Sequence, residues 1–269
     1  MRPPRQANVL GVLISVTDYH DATTRVIAAA RANKPLAVAI CPAHSIVEAY
    51  KDRDFATVLN SMDMAVPDGQ PVRWVMGWTH QAELEDRVYG PTLMLHVLSA
   101  AADEGLPVFF YGSRGQTLRL LCEKLLARFP RLRIAGSSEG LYRAASAAER
   151  AENAFQIRAS GAKIVFCGLG CPRQEWWMFH QRQAIGVPLL GVGAAFDFHA
   201  GLVKQAPVWM QRRGLEWAFR LRQEPRRLWR RYASTNPVFA GLAARQISGL
   251  SRFEPVCDVA TARARPCPL

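Results

Sequence analysis

The chain has 269 residues, 49% of them hydrophobic and 21% charged, with 34 Lys and Arg against 22 Asp and Glu for a formal net charge of +12. That composition is one of a globular protein of one large or two small domains and excludes a disordered chain; no apolar run reaches the roughly 18 residues a membrane-spanning helix needs. The six cysteines (Cys41, Cys122, Cys167, Cys171, Cys257, Cys267) show neither a disulfide framework nor paired zinc spacing, and read as reduced cytoplasmic thiols.

In chain order, short β-rich runs alternate with helical patterns. The basic, briefly apolar start MRPPRQANVLGVLISVTDYH lacks a small-residue cleavage site, which predicts a cytosolic start. VLGVLIS (9–15) is the first predicted strand, followed by the helix DATTRVIAAARAN and the strands LAVAI (36–40) and MAV (64–66). PTLMLHVLSAAADEG predicts a helix closed by Gly105, then come the strand PVFFYG (107–112) and the helix QTLRLLCEKLLARFP. RLRIAG (131–136), the helix ASAAERAENAFQIRASG, KIVFCG (163–168) and VPLLGVG (187–193) complete the alternation. The pattern predicts an α/β fold: a Rossmann-like open, mostly parallel sheet with helices on both faces, over residues 1–201. Residues 202–245 are rich in Trp and Arg and predict a basic helical appendage, and 246–269 lose helical periodicity and read as a disordered tail.

Three predicted strand ends carry glycines: Gly112-Ser113, Gly168 to Gln174 with Gly170 and Arg173, and Gly191-Val192-Gly193. At the carboxyl ends of parallel strands such turns let backbone approach a phosphate, so a nucleotide or other diphosphate is the expected ligand, although any one of them could equally just close a turn. None completes G-x-G-x-x-G, because Arg173 stands where the third glycine belongs and no acid follows about 20 positions on. A nicotinamide-dependent oxidoreductase is therefore the second reading.

Local readings leave several roles open. Pro67-Asp68-Gly69 is turn chemistry as readily as a presented carboxylate, Arg87 could pair with Glu83 on a helical turn, and Gln174 and Glu175 suit a helix start. Asp197, between Phe196 and Phe198, reads as a cap. Asp52-Arg53-Asp54 has the D-x-D form of a cation site but follows a helical pattern and reads as a solvated loop, and the six histidines show no ligand spacing; no metal is expected. On one helix Arg213, Arg220, Arg227 and Arg231 would share a face beside a stripe of Trp217, Leu221, Leu228 and Tyr232, with Pro225 dividing the helix in two. Such a surface suits an anionic membrane, diphosphates or, less well, nucleic acid, for which no recognition motif is present.

Taken together, PDGQPVRW (67–74), DRVYGPTLM (86–94), FFYGSRGQT (109–117), FCGLGCPRQEWW (166–177), GVGAAFDFHAG (191–201) and APVWMQRRGLEWAFRLRQEPRRLWRRY (206–232) resemble the WecB/TagA/CpsF family of bacterial glycosyltransferases. The likeness runs from about Leu36 to Tyr232. It implies a Rossmann-like catalytic domain and a C-terminal appendage that helps bind the membrane. It also implies inverting transfer of a sugar, often N-acetylmannosamine, from a UDP-sugar to a polyprenyl-diphosphate-linked saccharide in surface or exopolysaccharide biosynthesis, with no metal or other cofactor. On the matching positions Asp68 is the base and Arg87 and Gln174 act in catalysis or donor binding. The expected donor-binding set is Gly112, Ser113, Gly168, Gly170, Arg173, Gly191 and Gly193. Arg213, Arg220, Arg222, Arg227 and Arg231 are expected on the acceptor diphosphate or an anionic inner-leaflet surface, with the protein peripheral on the cytoplasmic face of the plasma membrane. Nucleic acid is not an expected partner. The sequence departs from the family at Ala39-Ile40-Cys41-Pro42, where a T-x-N-P pattern is common, so the donor sugar does not carry over.

Overall fold

The computed structural model describes residues 3–141, 143 and 145–265. Six strands form a parallel sheet in the order β4-β3-β8-β7-β5-β6: β3 Leu36–Cys41, β4 Met64–Pro67, β5 Val108–Tyr111, β6 Ile134–Ser138, β7 Ile164–Cys167 and β8 Pro188–Gly191. The pleat divides each strand between two cores. Ala37, Ala39, Val165 and Leu189 face the layer holding α2 (Ala43–Lys51), α3 (Arg53–Asn60), α4 (Gln70–His80), α7 (Ala147–Ala159) and α8 (Arg173–Ile185). Val38, Ile40, Phe166 and Leu190 face α1 (Tyr19–Arg31), α5 (Gly90–Asp103), α6 (Gly115–Arg128) and α9 (Ala195–His199). Burial on both faces explains why these strands read as continuous apolar runs. This is the predicted Rossmann-like α/β sandwich.

The first predicted strand is corrected. Residues 9–15 are not one strand of the sheet but the end of the first limb, the turn and the second limb of an antiparallel hairpin, β1 Gln6–Val9 with β2 Val12–Ser15. Leu10 and Gly11 have φ of 53° and 88°, the left-handed pair that a two-residue hairpin turn requires. Asn8 Oδ1 accepts the Gly11 N–H at 2.8 Å and closes it.

After Gly201 the chain forms α10 (Val208–Arg212), α11 (Glu216–Gln223) and α12 (Pro225–Ile247). The division before Pro225 is the predicted one: Glu224, at φ −129° and ψ 58°, lies outside helical space, as a residue preceding proline favours. The second half of α12 returns to the core, burying Phe239, Leu242 and Ala243.

Residues 250–265 differ from the disordered tail expected of them. Asn8 Nδ2 donates to the Phe253 carbonyl and Asn60 Nδ2 to that of Val256. Phe253, Val256 and Val259 pack on the core, Ala262 of α13 (Val259–Ala264) is fully buried, and Arg265 holds Asp52 and Asp54. Distant asparagines order this segment, so no periodicity in its own sequence announces it. Residues 266–269, the remainder of the predicted tail, lie outside the described residues.

Candidate active site

A cavity of about 570 Å³ opens beyond the carboxyl ends of β3, β4, β5, β7 and β8, with α11 and α12 along its outer wall. This is where an open parallel sheet binds ligands. Asp68, Arg87, Ser113, Gly168, Gly170, Arg173, Gln174 and Gly193 line it together with Arg220, Arg227 and Arg231.

Asp68 follows directly on β4. Its N–H donates to the Cys41 carbonyl at 3.2 Å, which extends the β3–β4 pairing by one residue. Gly69 then turns the chain at φ 87° and ψ 139°, a conformation open only to glycine, and α4 starts at Gln70 with Pro71 in its first turn. The turn and the presented carboxylate are thus one feature. The Asp68 side chain keeps 17% exposure, but Oδ1 is buried without a hydrogen-bond partner among the described residues. Burial pushes its carboxyl up to about 7 against the pull of Arg87, and Glu216 adds to the rise.

Arg87 lies in the non-helical segment between α4 and α5, so the helical pairing with Glu83 does not form. Val88 N–H on the Pro67 carbonyl, and Asp86 Oδ1 accepting from both Arg87 N and Gln70 Nε2, tie this segment to the end of β4. The side chain is 7% exposed, and its guanidinium stacks 4.3 Å from the Tyr89 ring centroid. Nη2 donates to Glu216 Oε2 at 2.6 Å, while Nη1 stands 3.8 Å from Asp68 Oδ1.

Gln174 faces the cavity but spends its hydrogen bonds on protein. Nε2 donates to the Gly191 carbonyl at 3.0 Å and to Glu175 Oε1 at 2.8 Å, and Oε1 accepts from Gly170 N at 3.2 Å. One side chain thereby fastens the β7 turn to the end of β8. Glu175 is fully enclosed, and burial raises its carboxyl to about 7 against the hydrogen bond from Gln174.

The glycines serve different purposes. A Cβ on Gly170, at φ 82°, would meet nothing within 4 Å, so the bare backbone there faces open space. Gly168 is required by packing instead, because a Cβ would come within 2.4 Å of the Phe196 ring, and at Gly191 a Cβ would press on Met178 Cε at 2.8 Å and the Gln174 amide at 3.1 Å. Gly112 and Gly191 do not line the cavity. Gly112 lies beneath it, where a Cβ would meet Leu169 N at 3.0 Å.

Among the appendage arginines, Arg220, Arg227 and Arg231 line the cavity, whereas Arg213, expected on the same face, and Arg222 are exposed and do not line it. The reason for Arg213 is Gly214 at φ 70°, which breaks the helix between α10 and α11 and leaves the Arg213 guanidinium over the Trp209 ring. Asp197, expected as a cap, is instead the third residue of α9, with Ala194 at the N-cap. Asp197 lines the cavity, where burial raises its carboxyl against Arg227. The lining charges are Arg87, Arg173, Arg220, Arg227 and Arg231 against Asp68, Asp197 and Glu216, an excess of cations that suits a diphosphate.

The D-x-D pair serves the fold. Asp52 caps α3 through the Asp54 and Phe55 N–H groups, and both carboxylates bind Arg265. Sequence reasoning missed Glu216, Tyr89 and Trp217 as site residues, as well as His44, Ser45 and Thr235, which line the cavity beside α12. Glu216 sits in the LEWAF run, but nothing local marks it as the partner of a residue 129 positions earlier.

The family model described as "Glycosyl transferase WecG/TagA/CpsF family" matches residues 7–252. An N-acetylglucosaminyldiphosphoundecaprenol N-acetyl-beta-D-mannosaminyltransferase of Bacillus subtilis strain 168 is 32% identical over 208 residues, 77% of this chain and 78% of the relative. A protein of the same description from Bacillus spizizenii strain W23 is 35% identical over 191 residues, 70% of each chain. With the matched span running from the hairpin through the sheet and the appendage to the start of the C-terminal segment, the chain belongs to the WecG/TagA/CpsF family of glycosyltransferases.

Proposed function

We propose that this glycosyltransferase moves a hexosamine, of which N-acetylmannosamine is the first candidate, from a UDP-sugar to a saccharide on a polyprenyl diphosphate, with inversion and without a metal. The observation that carries the reading is Asp68, a carboxylate with a raised pKa at a strand end, sharing one cavity with five arginines. A base of pKa near 7 is matched to deprotonating a sugar hydroxyl at neutral pH. The acceptor oxygen attacks the anomeric carbon, its proton passes to Asp68, and the bond to the leaving oxygen breaks with its electron pair remaining on UDP. Arg87 and the cavity arginines offset the charge that develops on the diphosphate, and Gln174 holds the glycine turns in register for it.

Residues 202–245 act as an appendage in this reading. Trp209, Trp217 and Trp229 are exposed on it and Trp74 and Trp78 on α4, alongside exposed Arg212, Arg213, Arg222, Arg226 and Arg230. No helix among the described residues is long and apolar enough to cross a membrane. Aromatic side chains among exposed arginines suit peripheral attachment to an anionic leaflet, and this supports reading the enzyme as peripheral on the cytoplasmic face.

The test is UDP release with a panel of UDP-sugars and a lipid-diphosphate-linked N-acetylglucosamine acceptor in the presence of EDTA. Acceptor-dependent release from one donor is expected, and its absence across the panel would count against the reading. For attachment, Trp209→Ser with Trp229→Ser should reduce flotation with vesicles containing phosphatidylglycerol at least several-fold; undiminished flotation removes the membrane role of those residues. Deletion after Gly201 is unsuitable because it removes Phe239, Leu242 and Ala243 from the core.

A further inference from the structure

Of the three acids lining the cavity, Asp68 follows β4 and Asp197 lies in α9, the short helix after β8, while Glu216 is carried in by α11. A carboxylate opposes a diphosphate at close range, so its place among five arginines calls for a reason. Its side chain is 12% exposed, and Oε2 is 2.6 Å from Arg87 Nη2. The other terminal nitrogen of that guanidinium is 3.8 Å from Asp68 Oδ1, too far for a hydrogen bond, and this oxygen is the buried one with no hydrogen-bond partner among the described residues. Arg87 therefore stands between two carboxylates and bonds to only one. A shift of about 1 Å would bring it onto the other.

We propose that Glu216 is a positioning residue for the transfer: by holding Arg87 through Nη2 it keeps the guanidinium from closing onto Asp68, and so keeps the base able to take the acceptor's proton. The inference rests on Asp68 being the base, as read above.

The groups that face Asp68 are Arg87 and Tyr89 from the segment before α5, Glu216 and Arg220 from α11, Tyr19 from α1 and Cys41 from β3. Burial raises the pKa of Tyr19, Tyr89 and Cys41, which keeps all three uncharged near neutral pH. The charge balance at Asp68 is therefore set by Arg87 and Arg220 against Glu216. A direct Arg87–Asp68 bond would favour the charged carboxylate and weaken its hold on a proton, the property a base uses.

Glu216→Gln keeps the shape and removes the charge. In protein labelled with carbon-13 aspartate, with Asp68→Asn assigning the resonance, the Asp68 titration is expected to move down from about 7 by roughly one pH unit or more in Glu216→Gln, the range an approaching cation produces. The acid limb of the UDP-release profile should move the same way, with plateau kcat down ~10-fold and KM for the donor no higher. In an Arg87→Gln background the effect of Glu216→Gln on the titration should fall by at least half. An Asp68 titration that stays put in Glu216→Gln, or one that moves equally without Arg87, overturns the proposal. Should Glu216→Gln not fold, Glu216→Asp, which keeps the charge on a shorter arm, should shift the titration in the same direction by less, and an unshifted titration with a lower kcat overturns it. Absence of transfer by the wild type defeats the functional reading separately, because the titration does not require turnover.

Discussion

The Nε2 of Gln174 reaches across from the first turn of α8 to the Gly191 carbonyl at the end of β8, 3.0 Å away, while its Oε1 takes the Gly170 N–H. A single amide thus spans the β7 and β8 turns that form the floor of the cavity. Gln174→Ala leaves that carbonyl, that N–H and the enclosed Glu175 without the partner. Stability should fall by ~2–4 kcal/mol, measured by urea unfolding, and KM for the donor should rise. Unchanged stability would show that the amide is free to serve the substrate instead.

The pH dependence follows from Asp68. Its carboxyl sits near 7 in the fold against an ordinary value near 3.8. Only the ionised form accepts a proton, so kcat/KM should rise with pH through about 7 and level off above it. Stability runs in the opposite direction. A raised carboxyl pKa means the fold holds this proton more tightly than the unfolded chain, so the contribution is present below the ordinary value and is lost as pH rises through the folded one. Asp68→Asn should lower kcat by ~10²–10⁴-fold, while its melting temperature relative to wild type should be higher at pH 8 than at pH 4. Wild-type turnover by folded Asp68→Asn removes the residue as base.

Gly69 separates geometry from chemistry. A Cβ there has room, with Pro71 Cδ the nearest atom at 3.8 Å, but φ 87° is strained for any other residue. Gly69→Ala should therefore cost ~1–3 kcal/mol and lower kcat by shifting Asp68, without removing a charged group. Loss of stability at full activity would mean that the carboxylate does not depend on this turn.

The arginines divide by position. Arg220 lines the cavity, its guanidinium 5.4 Å from the Phe198 ring centroid, whereas Arg213 is exposed over Trp209. With a short-chain, water-soluble acceptor analogue, Arg220→Ala should lower kcat/KM by ~10–100-fold, the worth of a charged hydrogen bond to a diphosphate. Arg213→Ala should stay within about twofold on the same substrate, since exposed charges contribute little. With membrane-borne acceptor the two variants should converge if Arg213 meets the lipid surface. Equal losses on the soluble acceptor would place both in the site.

Much of this arrangement is legible along the chain because it is local. Asp68-Gly69 announces both a turn and a carboxylate, apolar strands with glycine ends announce the sheet, and Pro225 announces its own helix break. The pairing of Arg87 with Glu216 is not legible, since it joins residues 129 apart through a fold that must exist first. Gln174 shows the same limit from the other side: the turn motif marks it as important, while its task, holding Gly170 and Gly191 together, is visible only once β7 and β8 are neighbours. Leu10-Gly11 and the Asn8 and Asn60 contacts to Phe253 and Val256 escaped notice because a positive φ at leucine and a side chain bonding distant backbone leave no periodic trace.

The path of α12 has a mechanical consequence. The chain leaves the helix layer that covers the sheet after α9, passes over the cavity, and is pinned again where Phe239 enters the core. Glu216, Arg220 and Arg227 therefore ride on an arch with two footings instead of on a free end. An arch can lift only as far as its footings allow, and its return is a short intramolecular closure with little chain entropy to lose. The segment that carries the cavity's outer wall is thus held at both ends, which limits how far Glu216, Arg220 and Arg227 can stray from Arg87 and Asp68.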